Sequence, residues 1–145
     1  MDEIEYERRL RKLAVREGMT FATLISLDGG DRAALSASIV SRFDPAAVYT
    51  EREVNDRLKA WLAGAGSMFG TDHVNLRRLL VDTQVLRRTS DCTEYRLQPE
   101  AAAAVPAELA AIDAAAIVAD ARNDAEVRRS ARKAAWMKQT PSAST

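Results

Sequence analysis

Tyr49-Thr50-Glu51-Arg52-Glu53-Val54-Asn55 and Asp72-His73-Val74-Asn75-Leu76-Arg77-Arg78-Leu79-Leu80-Val81-Asp82 are the two stretches on which the fold turns. Thr50 at an N-cap, with Glu53 three positions on, makes a reciprocal capping box, and Tyr49 with Val54 supplies the hydrophobic staple beside it. Such a cap stabilises by about 1 kcal/mol. The inward stripe is Val54, Leu58, Trp61 and Leu62, and Gly64-Ala65-Gly66 ends the helix. Asp72, with Thr71 as the alternative, caps a second helix running to about Thr83, whose inner arc holds Leu76, Leu79, Leu80 and Thr83. Leu86 to Thr89 and Glu94 to Leu97 read as two short strands, with Ser90-Asp91-Cys92-Thr93 as the turn between them. Helix, link, helix and hairpin make the layout of a winged helix-turn-helix. That layout offers its second helix to a DNA groove and its hairpin to the flanking phosphates.

Outward from this block, residues 2–17 form a charged helix capped by Asp2, with Tyr6, Leu10, Leu13 and Ala14 on one side and Gly18 as the stop. Thr20 to Leu27 is short and apolar, and periodicity leaves it open between helical turn and strand. Asp28-Gly29-Gly30 breaks the chain. Asp31 is the expected N-cap of the next helix, which places Leu35, Ile39 and Phe43 at successive i+4 positions and stops before Pro45. After Pro99 the composition becomes alanine-rich, and a helix is expected from about 106 to 136, roughly 45 Å long at 1.5 Å per residue. A helix of that length must wrap the domain, pair with a second chain, or break near Asn123-Asp124. The expected organisation is an N-terminal helical segment (1–30), a winged-helix-like core (31–98), an alanine-rich C-terminal helix (99–138) and a disordered tail (139–145). The fold class is mostly α with a small β-hairpin.

The chain has 145 residues, 47% of them hydrophobic and 29% charged, which suits one compact domain with extensions. It lacks any apolar run near the roughly 20 residues that cross a bilayer. Its acidic start, Met1-Asp2-Glu3-Ile4-Glu5, does not resemble a secretory signal, so no membrane and a cytoplasmic location are expected. One cysteine, Cys92, rules out an internal disulfide. The 21 basic and 21 acidic residues cancel, which counts against a dedicated nucleic-acid binder. Neither a nucleophile–base pair, a glycine-rich phosphate loop nor a carboxylate dyad stands out, so no enzyme and no cofactor are expected. His73, the only histidine, and Cys92 have no ligand spacing around them, so no metal is expected either.

Asn75, Arg77 and Arg78 fall on the outer face of the second helix, where arginine reads guanine bidentately and asparagine reads adenine. Val74, Val81 and Asp82 share that face, and two outward valines suit a protein contact equally well. Arg77 alternatively pairs with Glu51 or Glu53 and fixes one helix against the other. Arg87, Arg88 and Arg96 on the hairpin are the better phosphate contacts. The run from Val127 to Lys138 is basic without an acid, and suits nucleic acid, an anionic surface, an acidic partner or a solvated helix end. Two functions compete. One is a small DNA-binding or transcription-associated regulator of double-stranded DNA, using Asn75, Arg77, Arg78, Arg87, Arg88 and Arg96. The other is a non-catalytic interaction or dimerisation module, a homodimer through Val74, Val81 or the C-terminal helix. A ligand sensor is a third, weaker possibility.

The YTEREVN and LRRLLVD runs together resemble a bacterial family known only as domain of unknown function 2087. The matching positions are Phe43, Tyr49, Thr50, Glu51, Glu53, Val54, Asn55, Leu76, Arg77, Arg78, Leu80, Val81, Asp82, Leu86, Arg88 and Tyr95, within residues 33–97. Members occur alone or fused to bacterial regulator-type DNA-binding domains, so the resemblance implies a transcription-related role. The chain departs from the pattern at Gln84 and near Cys92, where the family commonly has glycines that ease a positive φ. The link from Ala63 to Gly70 is longer than usual.

Overall fold

Asp2 caps the first helix, α1 (Glu3–Ala14), by accepting from the Glu5 amide at 2.8 Å, and Tyr6, Leu10, Leu13 and Ala14 are its buried stripe as expected. The computed structural model describes residues 1–139, and the expected tail from 140 onward lies outside them. Thr20 to Leu27 resolves into both alternatives: a two-residue strand, β1 (Met19–Thr20), runs into a short helix, α2 (Phe21–Ser26), capped by Thr20 and Thr23.

The third helix, α3 (Gly29–Val40), starts three residues earlier than expected. Asp28, not Asp31, is its N-cap, accepting from the Asp31 amide at 2.8 Å. Asp31 is instead buried, 4% exposed, and paired with Arg9 at 2.9 Å and Lys12 at 3.0 Å on α1. Both aspartates satisfy local cap rules, and the cations on α1 decide between them.

Thr50 and Glu53 form the expected capping box on α4 (Glu51–Ala63). Tyr49, Val54, Leu58 and Trp61 are buried. The Trp61 indole donates to the buried Ser38 hydroxyl at 2.9 Å, which satisfies both groups inside the core. Gly66 passes so close to the Trp61 ring that a Cβ there would sit 2.2 Å from it. The long link after α4 contains β2 (Phe69–Gly70), which pairs in parallel with β1, Met19 opposite Phe69. This link therefore anchors the N-terminal segment.

Asp72 caps α5 (His73–Asp82), which buries Leu76 and Leu80 and half-buries Leu79, while Thr83 is exposed. The hairpin pairs β3 (Leu86–Arg88) with β4 (Tyr95–Leu97) antiparallel, in the register Leu86–Leu97, Arg87–Arg96, Arg88–Tyr95. Tyr49 adds a third short rung, exchanging backbone hydrogen bonds with Tyr95 at 2.7 and 2.8 Å. Helix α3, the Tyr49 rung, α4, α5 and the hairpin thus follow the order of a winged helix.

The alanine-rich segment is not one helix. Pro99 opens α6 (Pro99–Ala103), Pro106 precedes α7 (Ala107–Ala110), and α8 (Ala114–Gln139) follows. Proline biases the residue before it away from helix, and Asp113 starts a fresh cap by accepting from the Ala116 amide at 3.1 Å. Helix α8 runs unbroken through Asn123-Asp124 and includes Gln139. Its first half buries Ala114, Val118 and Ala121 and packs on α1, where Arg11 pairs with Asp120 and Asp124 at 2.7 and 3.3 Å. No helix among the described residues is long and apolar enough to cross a membrane.

Candidate nucleic-acid interface

Arg77 does not belong to the outer face of α5. Its side chain is 14% exposed, ion-paired with Glu51 at 3.0 Å and hydrogen-bonded to the Asn55 side-chain oxygen. Glu51 and Asn55 stand one turn apart on α4, so together they present two acceptors to one planar guanidinium. Arg77 is the bolt between α4 and α5, the alternative reading of that residue. Val74 and Val81 are half-buried rather than projecting, and Val81 packs against the core.

The residues left exposed on α5 are Asn75, Arg78 and Asp82, at i, i+3 and i+7, with the cap Asp72 beside them. Arg78 offers a groove one cation, and Asp82 one opposing charge.

The hairpin is different. Leu86, Tyr95 and Leu97 are buried, so Arg87 and Arg96 occupy the outer face. They are direct cross-strand partners, which brings their Cβ atoms to roughly 5 Å. Like charges so placed destabilise a sheet by themselves. Arg88, opposite Tyr95, is exposed as well. Among the described residues, the side chains of Arg78, Arg87, Arg88 and Arg96 have no hydrogen-bond or ion-pair partner.

The turn is held rigid by its own polar groups. Asp91 accepts from the Thr89 hydroxyl at 2.6 Å, the Thr93 hydroxyl at 2.8 Å and the Thr93 amide at 3.1 Å. These bonds, the Thr89 hydroxyl first, hold its carboxyl below the usual aspartate range. Gln84 and Cys92 adopt φ of 62° and 60°. They are the two positions at which the family pattern was expected to carry glycine, and the hairpin forms without it.

Most of the residues shared with the family pattern build this frame. The Phe43 and Tyr49 rings meet edge to face at 5.3 Å, and the Tyr49 hydroxyl accepts from the Asp44 amide at 2.6 Å. Arg57 lies over the Tyr49 ring at 4.4 Å. The Tyr95 hydroxyl reaches Glu51 at 3.5 Å, closing a chain from hairpin through Glu51 to Arg77. Of the shared polar residues, Arg78, Asp82 and Arg88 are exposed and unengaged among the described residues.

The geometry is that of a mostly helical, winged-helix-like module with an arginine-bearing hairpin. Residues 28–97 match the family described as an uncharacterized protein conserved in bacteria (DUF2087), and over that segment the chain is similar to it. The matched segment starts at the Asp28 cap and ends at Leu97 of the hairpin. No curated protein and no solved structure matches the chain.

Proposed function

We propose that the protein binds double-stranded DNA in a transcription-associated role, with its hairpin on the phosphate backbone and α5 beside the groove. The opposed and unneutralised Arg87–Arg96 pair carries this reading. A phosphodiester between the two guanidiniums turns a repulsive cross-strand pair into charge-assisted hydrogen bonds. Arg88 extends the cationic edge, and Asn75 with Arg78 supplies the polar groups for base edges. Arg77 has no part in the contact.

Anisotropy titration of a labelled random duplex at 50 and 200 mM salt tests this. Micromolar binding that weakens with salt is expected. Its absence at the lower salt overturns the proposal. Replacing Arg87 and Arg96 by Gln weakens binding to every sequence about equally. Arg77→Ala and Arg78→Ala separate structure from contact. The first lowers unfolding free energy by about 1–3 kcal/mol, because it leaves Glu51 and Asn55 without their donor. The second changes stability by less than about 0.5 kcal/mol and weakens duplex binding.

A dimerisation module is the second reading, and a different face favours it. An open apolar trough of about 450 Å³ lies between α2, α3 and α5, lined by Leu24, Ile25, Leu35, Ile39, Leu79 and Val85 among others. Ile25 is 45% exposed at its edge. A second copy seated there gives a dimer in sedimentation that Ile25→Asp dissociates, and a wild type monomeric at every concentration removes this reading.

A further inference from the structure

Helix α8 changes character at the point where α1 no longer covers it. Ala114, Val118 and Ala121 are its buried residues, in the half that packs on α1. Continued by sevens, that seam becomes Arg128 after Ala121 and, through Ala125, Arg132 after Val118. The helix is apolar where a neighbour buries it and cationic where none does. Every residue from Glu126 to Gln139 is exposed. Residues 127–139 hold Arg128, Arg129, Arg132, Lys133 and Lys138 and no carboxylate. Arg128 and Arg129 make only exposed pairs within α8, with Asp124 at 3.3 Å and Glu126 at 3.1 Å. Arg132, Lys133 and Lys138 have no partner among the described residues.

The whole chain is neutral, so the remainder carries a matching surplus of five carboxylates. A polyanion approaching that remainder is repelled on average. Thirteen helical residues extend about 20 Å, against a Debye length of about 8 Å at physiological salt. The end of the arm is therefore electrostatically separate from the acidic body.

We propose that this arm is a second nucleic-acid contact, a cationic helix that binds the phosphate backbone of double-stranded DNA without reading sequence. The proposal rests on the DNA-binding reading and extends it to a site outside the family segment. Charge complementarity selects the partner. Two such arms repel each other, which disfavours arm-to-arm pairing of copies. Opposite the arginines, the arm presents Val127, Ser130, Ala131, Ala134 and Met137, interrupted by Lys138, too thin an apolar face to anchor in a bilayer or a protein core.

The test uses the full chain with Arg132→Gln/Lys133→Gln/Lys138→Gln, compared with Arg87→Gln/Arg88→Gln/Arg96→Gln, in salt titrations with a random duplex. Glutamine keeps the helix, which circular dichroism checks. Each contacted phosphate contributes about 0.9 to the slope of log affinity against log salt, so the arm variant lowers the slope by about 3 and weakens binding at least about tenfold at 150 mM salt. Trp136, 67% exposed on the arm, provides a local signal, because Trp61 is fully buried. Its quenching by iodide falls when duplex is added. If only the hairpin variant loses slope, or iodide quenching stays unchanged, the arm proposal is overturned while DNA binding stands. If only the arm variant loses slope, the arm stands and the hairpin reading falls. If neither loses slope, both fall. Loss of binding to phosphatidylserine vesicles with an unchanged duplex slope assigns the arm to a lipid surface and overturns the proposal.

Discussion

Gln84 and Cys92 show what a single residue contributes to the hairpin. Both occupy the left-handed region, where a Cβ costs of order 1 kcal/mol and glycine costs little. Gln84 ends the turn after α5, its amide bonded to the Val81 carbonyl at 3.1 Å, and Cys92 closes the hairpin turn, its amide bonded to Thr89 at 2.9 Å. Gln84→Gly and Cys92→Gly are each expected to raise unfolding free energy by about 0.5–1 kcal/mol, measured by urea denaturation. Unchanged or lowered midpoints contradict the strain assignment. The two positions were visible as departures from a pattern, so sequence located the strain. Arg77 was not resolved in the same way. A helical wheel puts it beside Arg78 and leaves a pairing with Glu51 or Glu53 open; the placement of α4 selects Glu51 and adds Asn55.

At the scale of elements, helix starts were the most legible feature, because a cap is a local chemical event. Thr50, Asp72 and Asp2 all cap as their spacing requires. Asp28 and Asp31 were ambiguous because the deciding partners, Arg9 and Lys12, belong to another helix. The β1–β2 pairing was invisible, since two-residue strands carry no period and their register spans about fifty residues of chain. The caps also set an acid limit. Asp28, bonded by the Asp31 amide, and Glu53, bonded by the Thr50 amide, ionise more easily than usual, as does Asp91 in the turn. A carboxyl with a lowered folded pKa stabilises fully above its unfolded value and loses that contribution as pH falls through the folded one. Melting temperature is therefore expected to drop below about pH 4.5. Asp28→Asn/Glu53→Gln/Asp91→Asn should flatten the drop, and an equally steep fall in that variant refutes this origin.

For the molecule as a whole, the neutral composition concealed a division. An acidic body and a basic arm cancel in the sum, and only the point where α8 leaves α1 separates them. The family segment is flanked on both sides by helices that it does not include, and those two helices pack on each other. Arg11 meets Asp120 across 109 positions of sequence. That span has a kinetic consequence. The core from α3 to the hairpin can condense through contacts between near neighbours, whereas α1 gains its packing on α8 only after the chain has been made beyond Ala121. A contact between elements so far apart in sequence is expected to form late in folding, and during synthesis the α8-facing side of α1 stays uncovered until then.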